Sequence, residues 1–253
     1  MSKVVLITGV HGGIGYATAK VFKQKGWKII GVDKQALDVK DDCIDLFIQS
    51  DISETENIPN IFDRIKSNNF DHIDCLVNNA AVQVAKSILD TTEDEWDYVF
   101  KSNMKSVFMA VKYAYNLLTN AKGSIVNVSS VHAFATSRNI SAYASSKGAL
   151  LAFTRSLALE FVDVGIRVNC VIPGAVNTNM LADGLIRGRV GDETVEMLMD
   201  KLGMRHPIKR VGDPTEIGRL IYFLADNEQS SFVTGQSFVA DGGALAQLST
   251  EVY

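Results

Sequence analysis

Short apolar, β-branched runs alternate along this chain with longer stretches whose apolar residues recur every three or four positions. The runs at 3–8 (KVVLIT), 28–32 (KIIGV), 43–50 (CIDLFIQS), 73–78 (IDCLVN), 124–129 (SIVNVS), 166–172 (IRVNCVI) and 236–241 (QSFVAD) predict strands, with helices between most of them. Strands this apolar need cover on both faces, so the pattern predicts an α/β fold with a doubly wound parallel sheet. Two stretches depart from it. The link 35–42 is short and polar and predicts a loop instead of a crossover helix, and 177–206 carries glycines, charges and methionines that suit a mobile flap. The segments 96–118 and 143–161 are apolar around much of their circumference, which asks for cover on more than one side, part of it from another subunit.

With 253 residues, 47% of them hydrophobic and 21% charged, the chain is long enough for a full core. One dinucleotide-binding catalytic domain over 1–253 is expected, with the flap at about 177–206 and a C-terminal extension after 243. The net charge of −4 and the lack of a dense Lys/Arg cluster argue against nucleic acid as a partner. Cys43, Cys75 and Cys170 are odd in number and widely spaced, which fits a reducing compartment and neither a disulfide framework nor a metal site. The first strand begins almost at once, and no apolar run reaches membrane-spanning length. A cytoplasmic protein without a membrane partner is expected.

Between the first strand and first helix lies Thr8-Gly9-Val10-His11-Gly12-Gly13-Ile14-Gly15. Gly9, Gly13 and Gly15 permit a tight turn and a close backbone approach to a pyrophosphate at a helix amino terminus. The spacing is Gly-x-x-x-Gly-x-Gly, not the more common Gly-x-Gly-x-x-Gly. Eighteen residues past Gly15, Asp33 ends the second strand, where a carboxylate takes ribose hydroxyls. Against a 2′-phosphate it would cost about 4 kcal/mol at close range and an effective dielectric near 20. NAD is therefore expected over NADP, although Lys34 argues mildly the other way.

Tyr143 and Lys147 stand four apart in SAYASSKGALLAF, thirteen residues after Ser130. On a helix they share a face, so the Lys147 charge is expected to favour the ionised phenol. Moving a tyrosine from a pKa of about 10 to about 7 needs roughly 4 kcal/mol. A unit charge about 4 Å away supplies a similar amount. His132 follows Ser130 by two residues, but no Gly-x-Ser-x-Gly elbow accompanies it, which weighs against a serine hydrolase.

The glycine turn, Asn78-Asn79-Ala80-Ala81, Ser130, Tyr143-x-x-x-Lys147 and Pro173-Gly174, in that order, resemble the short-chain dehydrogenase/reductase family over residues 4 to about 243. The resemblance implies a single-domain Rossmann fold with sheet order 3-2-1-4-5-6-7 and a catalytic tetrad of Asn103, Ser130, Tyr143 and Lys147. It also implies cofactor contacts from Gly9, His11, Gly13, Ile14, Gly15, Asp33, Asp51, Ile52, Asn79, Ala80, Tyr143, Lys147, Pro173, Gly174, Val176 and Thr178. Asp51 and Ile52 would border the adenine, Asn79 the nearby ribose, and Val176 and Thr178 the nicotinamide amide and adjoining phosphate. Asn103 would position a water for proton exit. The family's usual Asn-Asn-Ala-Gly is Asn-Asn-Ala-Ala here, so Ala81 adds a methyl where the backbone normally runs bare. Family counterparts of 96–118 and 143–161 pair into a four-helix interface, which implies a homotetramer.

The substrate is expected between the 131–139 loop, the Gln83-Val84 segment and the flap after Thr178, with Gln83, His132 and Asn139 as binding residues. Arg138, Asn179, Phe134, Met180 and Leu181 add to a mixed lining that suits a small polar alcohol. The runs SSVHAFATSRNISAYASSK and HPIKRVGDPTEI are similar to aldohexose and related sugar dehydrogenases of the family, pointing to a sugar or polyol. A dihydrodiol dehydrogenase of the dihydroxybenzoate type, a 3-oxoacyl thioester reductase and, from another class, a non-catalytic NAD-sensing protein remain open.

Overall fold

The structure is a computed structural model and describes residues 2–36, 42–187 and 192–247. Seven strands, β1 (Val4–Thr8), β2 (Lys28–Asp33), β3 (Leu46–Gln49), β4 (Cys75–Asn78), β5 (Ser124–Val128), β6 (Arg167–Pro173) and β7 (Ser237–Ala240), pair in parallel as β3-β2-β1-β4-β5-β6-β7 among the described residues. The helices are α1 (Gly13–Gln24), α2 (Ile58–Ser67), α3 (Glu93–Phe100), α4 (Ser106–Ala121), α5 (Ser141–Glu160), α6 (Asn179–Arg187), α7 (Val195–Met204), α8 (Pro214–Ala225) and the single turn α9 (Asn227–Ser230). Strand alternation divides the core in two. Val4, Leu6, Ile30, Val32, Leu76 and Ile125 pack with α2, α4 and α5, whereas Val5, Ile7, Ile29, Val77, Val126 and Val171 pack with α1 and α8.

The direction of strand addition reverses between β1 and β4. The loops leaving the carboxyl ends of these neighbours therefore part and open a crevice, the usual ligand position in such a sheet. Buried polar bonds hold the crevice floor. Asn78 Nδ2 donates to Asn127 Oδ1 at 2.8 Å and Asn127 Nδ2 to Thr154 Oγ1 at 2.9 Å, linking β4, β5 and α5.

All seven expected strands are present, several shorter by a residue or more at their ends. Within the stretch 177–206, expected as a flap, α6 and α7 occupy most of the described residues. Gly184 interrupts the apolar stripe of α6, while in α7 charges stand among a helical spacing, Val195, Leu198, Met199 and Leu202, that the Thr194 hydroxyl caps by accepting from Met197 N at 3.2 Å. Most of the expected loop at 35–42 and the end of the extension after 243 lie outside the described residues. No helix among the described residues is long and apolar enough to cross a membrane, and no cluster of His, Cys, Asp or Glu among them could hold a metal ion.

Candidate active site

A cleft of about 870 Å³ runs along the carboxyl ends of the strands. Of the expected site residues, all but Gly15 and Asn103 line it. Gly9, at φ +67°, leaves β1 in a left-handed turn, and a Cβ there would lie 2.8 Å from Ala80 Cα. A Cβ on Gly15 would lie 2.1 Å from the Gly9 carbonyl oxygen, so Gly15 shapes the turn from behind. A Cβ on Gly13 would lie 2.7 Å from Thr178 Cγ2, so the segment entering α6 rests on the glycine turn. These bare positions form a cradle at the amino terminus of α1 that fits a pyrophosphate.

Asp33 closes the end of β2 with both oxygens engaged: Oδ2 accepts from His11 N and Oδ1 from Gln35 N, each at 3.0 Å. Asp51 Oδ1 accepts from the amide and hydroxyl of Ser53 at 2.9 and 2.7 Å. Asn79 Nδ2 donates to the Thr8 and Gly9 carbonyls, both at 3.0 Å, tying the β4 loop to the glycine turn.

At the other end, Tyr143 and Lys147 rise from the first turns of α5, both buried. Lys147 Nζ donates to Val128 O at 2.8 Å and lies 5.6 Å from the Tyr143 ring centroid. Beside Ser130, Ser129 is buried and its Oγ donates to the Lys147 carbonyl at 2.9 Å, pinning α5 to the end of β5. Ser130 caps the following turn and its hydroxyl reaches the Tyr143 phenol. The His132 ring meets the Tyr143 ring edge-on at a centroid distance of 6.0 Å.

The electrostatics correct one expectation. Burial pushes the Tyr143 phenol above its ordinary value, opposed by the Ser130 hydrogen bond, and no lowering by Lys147 accompanies it. Burial also brings the Lys147 ammonium down to about 8, with the Cys170 thiol opposing. Loss of water around both groups outweighs their mutual help in the free cleft. Burial keeps His132 below its ordinary value, hence neutral at pH 7.

Asn103 is held from several sides. It sits in a π turn, Lys101–Lys105, between α3 and α4, and its side chain is fully engaged: Oδ1 accepts from Val82 N at 2.9 Å, while Nδ2 donates to Val82 O and Ser146 Oγ, both at 3.0 Å. It ties the stretch after β4 to α5 instead of facing the cleft. Its neighbour Ser102 does line the cleft, with a buried hydroxyl that has no partner among the described residues. Sequence reasoning passed over Ser102, Tyr98, Arg187, Leu202 and His206, all on the cleft wall. Adjacency to Asn103 was the signal for the first, Arg187, Leu202 and His206 fell within the expected flap without being singled out, and nothing local flagged Tyr98. Phe134 and Val84, expected in the lining, are not part of it, and Phe134 is exposed.

Residues 9–244 match the family described as Enoyl-(Acyl carrier protein) reductase. The chain is 33% identical to the NADP-dependent (R)-specific alcohol dehydrogenase of Lentilactobacillus kefiri, with 97% of each chain covered. Among solved structures it is similar to the ligand-free aldohexose dehydrogenase of Thermoplasma acidophilum, at TM-score 0.91 and 30% identity over 100% of this chain and 97% of that one. It is also similar to a 4-hydroxyisoleucine dehydrogenase complexed with NADH, at TM-score 0.86 and 28% identity over 98% of this chain and 100% of the other. The chain belongs to the short-chain dehydrogenase/reductase family, as an oxidoreductase that uses a nicotinamide cofactor on alcohol or carbonyl groups.

Proposed function

We propose that the protein is an NAD(H)-dependent dehydrogenase of a small polar secondary alcohol, of the sugar or polyol class, with Ser130, Tyr143 and Lys147 as its catalytic residues and Asn103 as the residue that braces them. The observation that carries this reading is the convergence of these three side chains at one end of the cleft whose other end holds the glycine cradle and Asp33. A bound nicotinamide supplies the acceptor for the hydride that leaves the carbinol carbon as the alcohol becomes a carbonyl.

The chain's own residues handle the proton. The Ser130 hydroxyl holds the substrate oxygen, and the Tyr143 phenolate takes its proton within hydrogen-bond reach. Because burial keeps the phenol protonated in the free cleft, the ionised form needs more positive charge than Lys147 provides from its seat on Val128 O. An oxidised nicotinamide, if held by this cleft, would add that charge. In reduction the protonated phenol is already the correct form, and Tyr143 gives its proton to the new hydroxyl. His132, neutral and set against Tyr143, walls the substrate end with Gln83 and Asn139.

Asp33 supports NAD over NADP, since an ionised carboxylate at the end of β2 repels a 2′-phosphate. The reading includes a homotetramer, supported by Phe108 and Tyr113 on α4 and Leu159 on α5, all exposed in the single chain. Screening NADH formation across aldoses, polyols and cyclic diols, with NADP in parallel, tests the proposal. Turnover of at least one sugar or polyol with NAD, and a preference for NAD that Asp33→Ser erodes by roughly tenfold or more, is the expected result. A wild-type preference for NADP, or turnover restricted to cyclic diols or thioesters, would contradict it.

A further inference from the structure

The cleft is chemically uneven along its length. Its carboxylates, Asp33 and Asp51, both stand at the ends of β2 and β3, each engaged by neighbouring donors. From Ser130 onward the lining contains no carboxylate, yet two arginines contribute to it: Arg138 in the loop before α5 and Arg187 at the end of α6. Neither makes a hydrogen bond or ion pair with any described residue. In a chain of net charge −4 this is a local excess of the opposite sign. Low-dielectric walls focus such a field towards an entering anion.

Neither arginine belongs to the glycine turn or to the segment that rests on it. Arg138 lies five residues before Tyr143, on a loop held by Asn139 in the left-handed region at φ +65° and by buried Ile140. Arg187 lies eight residues beyond Asn179, so the helical rise carries its backbone about 12 Å from the end of α6 that rests on the glycine turn, and its guanidinium reaches back only as far as Gly184. Resting on the oxidoreductase reading above, we infer that the substrate carries an oxyanion, a carboxylate or a phosphate ester, that Arg138 and Arg187 bind while Tyr143 addresses its secondary alcohol. Planar guanidinium groups pair with such oxyanions through two parallel N–H···O bonds. Both guanidinium groups are solvent-exposed, so a neutral polyol, which offers them no charge to pair with, gains little from them. Among polyhydroxylated compounds the class indicated is therefore the sugar acid or polyol phosphate, and more simply a small hydroxy acid.

Matched pairs test this: an aldonate with its alditol, a 3-hydroxy acid with its amide, and a polyol phosphate with its polyol. NADH formation is measured for the wild type, Arg138→Gln and Arg187→Gln, and NADH affinity by fluorescence titration. The wild type is expected to favour the anionic member of at least one pair, with KM rising as salt is added. Each substitution is expected to lower the anionic-to-neutral ratio of kcat/KM by roughly tenfold to a hundredfold, through KM. Which pair responds tells carboxylate from phosphate, and either supports the inference. Equal or better turnover of the neutral members, or a loss of NADH affinity in the variants that assigns the arginines to the cofactor, overturns it while leaving the oxidoreductase reading intact. No turnover of any member with NADH still bound overturns that reading as well.

Discussion

Lys147 is held as a cation where little water reaches, and the cost appears in its pKa, about 8 against an ordinary 10.5. Below pH 8 the folded and unfolded chains both carry the proton, and the burial penalty is present in full. Between about 8 and 10.5 the unfolded chain binds more protons than the folded one, so stability rises with pH. Urea unfolding of the wild type and Lys147→Met should show the wild type gaining on the variant across that window, by at most roughly 3 kcal/mol. A difference that stays flat would show that the ammonium is not desolvated as described. Asn103 offers a second check, because its side chain satisfies both main-chain groups of Val82. Asn103→Ala should cost about 1–3 kcal/mol in the same assay through the groups left unpaired. The Tyr143–Lys147 pairing was legible from spacing alone, since a helix sets positions four apart on one face. The sign of the phenol shift was not. Spacing gives the charge its nearness but says nothing of how much water the fold removes, and desolvation dominates here.

At the scale of the elements, the strands were legible because β-branched runs buried on both faces have no other use in a parallel sheet. The π turn carrying Asn103 was not, since a one-residue widening between α3 and α4 leaves the helical apolar spacing almost unchanged. Nor were the flap helices, whose apolar stripe Gly184 and the charges interrupt. The glycine turn allows a sharper prediction. A methyl group on Gly15 would fall 2.1 Å from the Gly9 carbonyl oxygen, so the turn must move. Gly15→Ala should destabilise the fold by about 1–3 kcal/mol and weaken NADH binding measured by fluorescence titration. Unchanged affinity would mean that the turn is not the cradle. The capping box that starts α3, in which Thr92 Oγ1 accepts from Glu95 N at 3.2 Å, is a control remote from the cleft. Thr92→Ala should cost about 1 kcal/mol and leave NADH affinity alone.

For the whole molecule, α4 and α5 cover one face of the sheet and still present large apolar side chains outward, Phe108 at 48% and Leu159 at 79% exposure. Side chains this exposed on neighbouring helices fit a surface closed by another copy of the chain. Light scattering at micromolar concentration should report a tetramer, and Phe108→Glu with Leu159→Glu should reduce its mass. A stable wild-type monomer would refute the assembly without touching the chemistry. On the proposed reading, the chemistry itself depends on one phenol at the end of a dinucleotide cleft. Replacing Tyr143 with Phe removes its proton and little else. The most direct measurement is NADH formation by the wild type and Tyr143→Phe on one accepted alcohol, with NADH affinity titrated in parallel. Turnover should fall by about 10²–10⁴-fold while affinity stays within a few fold. Turnover that survives the substitution, or a wild type that binds NADH yet oxidises no alcohol, would contradict the account.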